Sequence, residues 1–521
     1  MKKTSFFLYN FIYAIFTLIA LNFYVVRYLF QTLPVLPFIG VLCVLFFVLM
    51  TVLSILFWKK TTKPVSVFLL LANAVASYFI VTYEVALNKL MLSNLFDTNI
   101  YETTEWLGVS FWLYVLLLGF VPSFLVIKAN VVFPTLKKRF KQIVFYLILA
   151  GLFALAFLPH KTAVSIYLKE NFALRYQLVP SGYLSSFVSM AKYHLKKVPS
   201  IDSVKGLTHE KYWKTDKKNL IVFVLGESAR DASFSLSGYD RDTASPLHPY
   251  LDDMTVFKRT ESCGVLTRVS LPCMFTAYRR HNYDERGISY TTNALDILQK
   301  VGFDLLWLDN EMGCNKMCRN IPTEFTCDSR DCTDEKLNAV FKDKMAGFDK
   351  DTFVVLHQRG SHGPRYDLRV PDDMRLYQPF CRDANHKNCT YQELVNAYDN
   401  TMYYTSYVVA DLIDFLSHKT DKYNPILIFI SDHGESLGEE NFWGHGGDFD
   451  KVPNYQKEVP FFVWMPPQTR EALGLDKECL DQKIKNRHTQ DYIFHSLLGL
   501  AGVRTDVYDE TLDIFSSCLI K

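Results

Sequence analysis

The chain is 521 residues long, 49% hydrophobic and 15% aromatic, with 56 basic residues against 54 acidic ones and a formal net charge of +2. That length exceeds one compact core, the apolar content exceeds that of an ordinary soluble enzyme, and the balanced charge argues against a nucleic-acid partner. The apolar excess lies before Pro159, which divides the chain into a membrane part and a remainder of ordinary polarity.

In chain order, five segments are long enough to cross a bilayer: 6–26, 35–58, 64–83, 108–127 and 143–159, the last at the short limit. The first is expected to stay as an anchor, because Leu21, Asn22, Phe23 and Tyr24 offer no small-residue cleavage site and further spans follow. Lys2, Lys3, Lys59, Lys60, Lys63, Lys128, Lys137, Lys138, Arg139 and Lys141 fall on one side of the spans. The opposite connections carry Arg27 in one and, in the other, Lys89 against Glu84, Asp97, Glu102 and Glu105. The positive-inside rule then puts the amino terminus in the cytoplasm and everything after Pro159 on the outer face.

Residues 160–218 have mixed polarity, with Lys196, Lys197 and a lysine-rich run ending at Lys218, and read as interfacial helices and linker between a membrane domain 1–159 and a soluble domain 219–521. Beyond them, strands at 219–225, 303–308, 352–357, 425–431 and 459–465 alternate with helical stretches at 293–301 and 391–416. That alternation predicts an α/β fold with a mostly parallel sheet covered on both faces. Of 11 cysteines only Cys43 lies in a span; the others include the close pairs Cys263/Cys273, Cys314/Cys318, Cys327/Cys332 and Cys381/Cys389. In an exported domain such pairs read as disulfides, and zinc-binding thiolates would show tighter matched pairs. Cys479 and Cys518 remain and can pair with each other.

Three of the strands end in metal-ligand residues. The run 425–431 stops at Asp432-His433-Gly434-Glu435, with His445 beyond; 219–225 leads to Gly226-Glu227-Ser228; 352–356 leads to His357 and then His362. One strand-terminal Asp-His pair can equally be a salt-bridged turn, but three such endings at the carboxyl edge of a sheet point to a metal site of zinc type. Thr267 lies between Cys263 and Cys273. By composition it reads first as a helix cap and second as a hydroxyl nucleophile that a metal would activate.

Gly226-Glu227-Ser228, the segment from Ser262 to Phe275, Leu356-His357 through His362-Gly363-Pro364, Asn396 to Asn400 and Ser431 to Ser436 together resemble the phosphoethanolamine transferases of Gram-negative inner membranes. That family includes lipid A transferases and mobile colistin-resistance enzymes, and the likeness spans nearly the whole chain. It implies a membrane domain of five transmembrane helices joined to a periplasmic domain of alkaline phosphatase and sulfatase type. The implied donor is phosphatidylethanolamine, the acceptor lipid A or the core of lipopolysaccharide, and the consequence lower susceptibility to polymyxin. A zinc-dependent monomer passing the group through a phosphoethanolamine-threonine intermediate is the expected machine.

The resemblance places the zinc on Glu227, Thr267, Asp432 and His433, with Thr267 as nucleophile. It places His357, His362 and His445 at a second zinc or the substrate phosphate. Asn94, Thr98 and Glu102, spaced by four along one helix face, match residues that meet the donor headgroup; the alternative is the wet face of an interfacial helix. Leu308, Met312 and Asn315 depart from family positions that contact substrate phosphate, which leaves the acceptor group open and suggests Arg268 or Lys316 as the phosphate clamp. A sulfatase would need a Cys or Ser set for formylglycine formation, and Gly264 and Val265 after Cys263 break that motif. A phosphoglycerol transferase, transfer to another envelope glycan or protein, and a non-catalytic lipid-binding scaffold are the other readings. Loss of a ligand or of the nucleophile would favour the scaffold, and none is lost.

Overall fold

The computed structural model describes residues 3–89, 91–93, 104–156, 174–195, 200–210, 213–311, 313–326 and 332–520. Asn94, Thr98, Glu102, Met312 and Cys327 lie outside the described residues. Two compact units emerge, Met1–Lys196 and Lys197–Lys521.

Among the described residues of the first unit, three helices are long and apolar enough to cross a membrane: Val35–Leu56, Thr62–Tyr83 and Val109–Lys128. A fourth candidate is a pair, Phe6–Leu21 and Phe23–Thr32, bent by 69°. The segment expected as one span at 6–26 is therefore broken, and Asn22 explains how the break is tolerated. Its Nδ2 donates to the carbonyls of Thr17 and Val179, 2.9 Å each, and its Oδ1 accepts from the Val179 N–H at 2.7 Å. Backbone groups freed at the bend thus find partners without water, as an apolar surround requires.

The last expected span, 143–159, overlaps the helix Leu136–Ala156, which packs on Val35–Leu56. Arg139 at its start donates to the Ser54 carbonyl at 2.6 Å and lies over the Trp58 ring, 4.4 Å away. One of the cations counted for orientation therefore also caps the carboxyl end of a neighbouring helix, where carbonyls lack partners. The helix Ser181–His194 also belongs to this unit: Tyr183 reaches Asn73 Oδ1 at 2.9 Å. Large apolar side chains such as Leu36, Val109, Leu125 and Phe140 stand exposed along these helices, which suits lipid and not water.

The second unit is built on a seven-stranded sheet. Its strands are β1 (Lys218–Gly226), β2 (Met254–Glu261), β3 (Asp304–Asp309), β4 (Thr323–Phe325), β5 (Thr352–His357), β6 (Tyr423–Ser431) and β7 (Glu458–Trp464), in the order β2-β7-β6-β1-β5-β3-β4. Pairing is parallel from β6 through β4; β7 runs antiparallel to both β6 and β2. No described α-helix lies between β6 and β7, so the chain returns without the crossover that a parallel neighbour needs. Alternate residues of β1 enter different cores: Ile221, Phe223 and Leu225 on one face, Leu220, Val222 and Val224 on the other. Burial on both faces is why that strand reads as an unbroken apolar run.

The helix Tyr391–Ser417 opens on a capping box in which Thr390 and Glu393 satisfy each other's backbone N–H groups. Disulfides join Cys263 to Cys273, Cys314 to Cys318, Cys381 to Cys389 and Cys479 to Cys518. Cys332 is also disulfide-bonded.

Candidate metal centre

The site grows from the register of the central strands. Leu225 of β1 lies opposite His357 of β5, Gly226 opposite Ser431 of β6, and Asp309 of β3 opposite His357, so four strands end flush. The residues at or just past those ends, Glu227, Asp432, His433, His357 and Asp309, are all buried. Thr267 arrives from another direction, as the first residue of the helix Thr267–Phe275. Leu266 occupies the cap position, so Thr267 is not the cap that composition favours. Its Oγ1 donates instead to Glu227 Oε2 at 3.2 Å and lies 3.4 Å from His433 Nε2.

Glu227, Asp432 and His433 each offer a ligand atom, and these atoms lie within 4.8 Å of one another. The His433 Nδ1 is 3.0 Å from the Gly434 carbonyl, which places the proton there and turns a bare Nε2 toward Glu227 and Asp432 Oδ2, 3.5 and 3.2 Å away. Burial holds the His433 imidazole below its usual range, in its neutral, ligating form. Asp432 Oδ1 accepts from the N–H groups of Ser228 and His433, while its buried Oδ2 has no hydrogen-bond partner. Burial, and behind it the charges of Asp432 and Glu311, push the Glu227 carboxyl well above the usual carboxylate range. Two buried carboxylates with an orphaned oxygen, closed by a neutral imidazole nitrogen and a hydroxyl, fit a divalent cation that takes oxygen and nitrogen ligands.

Beside this set, His433, Glu435 and His445 form a second convergent group. His445 Nδ1 meets Glu435 Oε2 at 2.7 Å, and Tyr366 donates to Glu435 Oε1 at 2.8 Å. The His362 ring lies 5.5 Å from that of His445; burial, then His445, Arg369 and Arg359, keep it well below the usual imidazole range. His357 differs. Its Nδ1 pairs with Asp309 Oδ2 at 3.1 Å, and its Nε2, without a hydrogen bond, faces Glu227 Oε2 at 4.0 Å. Burial opposes a charged imidazole, yet the Asp309 carboxylate outweighs it and raises His357, while His357 in turn holds Asp309 low against burial.

The proposed clamps are engaged elsewhere. Arg268 pairs with Glu285 at 2.9 Å and Lys316 Nζ with Ser289 Oγ at 2.7 Å. Leu308 is wholly buried in the core under the sheet, so its side chain packs and does not face the site. Three site groups went unread in the sequence, while Glu435 was read within its motif without a role of its own. Asp309 and Glu311 obey the same strand-end rule as Glu227, so a signal existed for both. Asp334, which accepts from the N–H groups of Arg359 and Gly360 and from Asn310 Nδ2, carried none.

Gly360 explains why the turn after β5 needs glycine. Its φ is +51°, and a Cβ there would lie 2.6 Å from the Glu227 carbonyl oxygen. Gly360→Ala should therefore lower the melting temperature of the α/β unit, by the equivalent of about 1–3 kcal/mol, and displace Glu227. Metal content and transfer should fall together, as paired metal analysis and activity assays would read.

Two family models match the chain: sulfatase over residues 219–503, and phosphoethanolamine transferase EptA/EptB over 45–195. Phosphoethanolamine transferase EptA of Salmonella typhimurium is 32% identical over 97% of this chain and 96% of its own. Phosphatidylethanolamine transferase Mcr-1 of Escherichia coli is 32% identical over 92% of each. The solved integral membrane lipooligosaccharide phosphoethanolamine transferase A of Neisseria meningitidis, 27% identical, superposes over 100% of both chains with a TM-score of 0.91. The chain belongs to the phosphoethanolamine transferase family, enzymes of the alkaline phosphatase and sulfatase superfamily, with a membrane-embedded amino-terminal part and a periplasmic catalytic domain.

Proposed function

We propose that the enzyme moves phosphoethanolamine from phosphatidylethanolamine to Thr267 and from there to the lipid A or core region of lipopolysaccharide, with zinc held by Glu227, Asp432, His433 and Thr267. The observation that carries this reading is the convergence of Thr267 Oγ1 on Glu227 and His433 at the flush strand ends. The donor fits the word phosphatidylethanolamine in the name of the Escherichia coli relative, and the acceptor fits the lipooligosaccharide of the Neisseria meningitidis relative. Lower susceptibility to polymyxin is the physiological consequence we expect, because an added ammonium offsets lipid A phosphate charge.

In the first step the Thr267 oxygen bonds to phosphorus, the bond from phosphorus to the glycerol oxygen breaks, and diacylglycerol leaves with the proton that Thr267 gave up. In the second an acceptor oxygen bonds to phosphorus, the bond to Thr267 breaks, and the acceptor's proton returns to the threonine. Bound zinc would lower the pKa of the hydroxyl and offset charge on the phosphoryl oxygens. Glu227 Oε2 holds the hydroxyl by its hydrogen bond. The helix Thr267–Phe275, starting at the nucleophile, would offer its free amino-terminal N–H groups and positive end to a phosphate at Thr267. His357, whose Nδ1 pairs with Asp309, together with His362 and His445 completes the polar wall, as a second zinc site or as phosphate contacts.

Donor recognition falls to Asn94, Thr98 and Glu102, within a five-helix membrane domain 1–159 followed by an interfacial and linker region 160–218 and a catalytic domain 219–521. The helix Leu136–Ala156 supplies the fifth span in this reading. The working form in this reading is a monomer. Incubating the full-length protein with labelled phosphatidylethanolamine and a panel of lipid A and core acceptors, then locating the added mass, tests donor and acceptor together. Glu102→Ala should reduce lipid transfer about 10–100-fold, the worth of one charge-assisted contact, and leave turnover of a water-soluble phosphoethanolamine ester near wild type. Equal loss of both activities in a zinc-loaded, folded variant would refute that division.

A further inference from the structure

The loop that delivers Thr267 is not part of the sheet, yet its hydroxyl must sit about 3 Å from groups at the ends of β1 and β6. The Cys263–Cys273 disulfide fixes the internal shape of that loop but ties it to nothing outside itself. We propose that Gln490 is the positioning residue that sets the nucleophile loop against the metal-bearing strand end.

Gln490 is fully buried and lies just before the helix Asp491–Leu500. Its backbone N–H donates to the Glu261 carbonyl at 2.9 Å, which anchors it at the end of β2. From there its side chain works in both directions. Oε1 accepts from the Cys263 N–H at 2.7 Å, on the nucleophile loop. Nε2 donates to the carbonyls of Ser431 and Asp432, at 2.8 and 2.7 Å, beneath the carboxylate and imidazole of Asp432 and His433. One planar amide thus fixes the separation of the two backbones that carry nucleophile and ligands.

The chemistry suits an amide and few other side chains. Two buried carbonyls on one side need donors, and one buried N–H on the other needs an acceptor. A charged group would satisfy only one side and would add its field to the carboxylate cluster a residue away. Gln490 touches neither substrate nor reacting atoms; it acts through the distance between Thr267 and Asp432. A displacement of about 1 Å in such a geometry lowers the rate about 100-fold.

This inference rests on Thr267 as nucleophile, so the test begins with wild type. Full-length protein in detergent is exposed to phosphatidylethanolamine without acceptor, and the rate of the phosphoethanolamine adduct on Thr267 is followed by intact mass. Absence of that adduct in wild type would strike the Thr267 reading and would be known before any variant is made. Gln490→Met, which keeps the volume and loses the hydrogen bonds, and Gln490→Glu, which keeps the acceptor for Cys263 but sets an oxygen against two carbonyls, are then compared. Both should bind zinc at the wild-type stoichiometry, keep the KM for donor within about twofold, and form the adduct about 100-fold more slowly. An adduct rate within about threefold of wild type in a folded, zinc-loaded variant would overturn the assignment. So would zinc loss in proportion to rate loss, which would make Gln490 a support of the ligand set, or failure of both variants to fold, which would make it a folding residue.

Discussion

Thr267→Ala should abolish transfer, by about four orders of magnitude or more, while leaving the fold intact and leaving Glu227, Asp432 and His433 to hold zinc at lower affinity. The hydroxyl has no structural task that alanine would fail. Leu266 holds the cap position, and Thr267 is only half-buried, so removing its Oγ1 and methyl opens no cavity of consequence. What disappears is the atom 3.2 Å from Glu227 Oε2 and 3.4 Å from His433 Nε2. Thr267→Ser restores that oxygen with a freer rotamer and should recover activity to within about tenfold of wild type. Intact-mass analysis after donor exposure should find the adduct in wild type and the serine variant and none in alanine. A persistent adduct in Thr267→Ala would place the nucleophile elsewhere.

Asp432→Asn carries the second large effect, and its signature is a stability inversion. Burial first, and then repulsion from the Asp432 carboxylate, push the Glu227 carboxyl up, so the two acids compete in a shared buried space when no metal is bound. Asparagine keeps the oxygen that accepts from Ser228 and His433 and replaces the orphaned Oδ2 by a donor toward Glu227. The metal-free variant should therefore melt no lower than metal-free wild type. Zinc should then raise the melting temperature of wild type, since a ligand at a hundred times its dissociation constant contributes about 2.7 kcal/mol, and raise that of the variant little. Transfer should fall at least about a thousandfold. Thermal melts with and without zinc check this; an equal zinc-induced shift in both proteins would remove Asp432 from the ligand set.

The parts of the fold that could be read in the sequence are those where burial is two-sided. β1, β5 and β6 announce themselves as apolar runs because both faces are covered, and their ends announce the site because polar residues interrupt such runs for a reason. β2 gave no such signal. It is an edge strand whose Lys258 and Arg259 face outward, so its pattern is diluted by charge. The bend at Asn22 was hidden for another reason: hydropathy measures composition, and the amide that closes the break pairs with Val179, far along the chain.

The same limit governed the site. Glu227, Asp432 and His433 belong to strand-end motifs, and the structure brings them together with Thr267, which composition alone reads first as a cap. Arg268 and Lys316 have the right charge for a phosphate clamp, but their partners Glu285 and Ser289 are set by tertiary packing. Gln490 is a neutral residue whose meaning comes from three backbone groups on two other segments, so no pattern around it could show its place.

The flush strand ends also order events in time. β1 and β6 are neighbours in the sheet, yet Ser228 and Asp432 stand 204 positions apart in the chain. During synthesis and export Glu227 emerges early and Thr267 soon after, but Asp432 and His433 join them only once β6 has emerged and paired beside β1. A growing chain therefore lacks half of the proposed ligand set for most of its passage, and the full set can assemble only when the central sheet is nearly complete. Metal capture by the proposed ligand set would then be a late checkpoint on correct strand pairing, and a chain truncated before β6 would have no means of passing it.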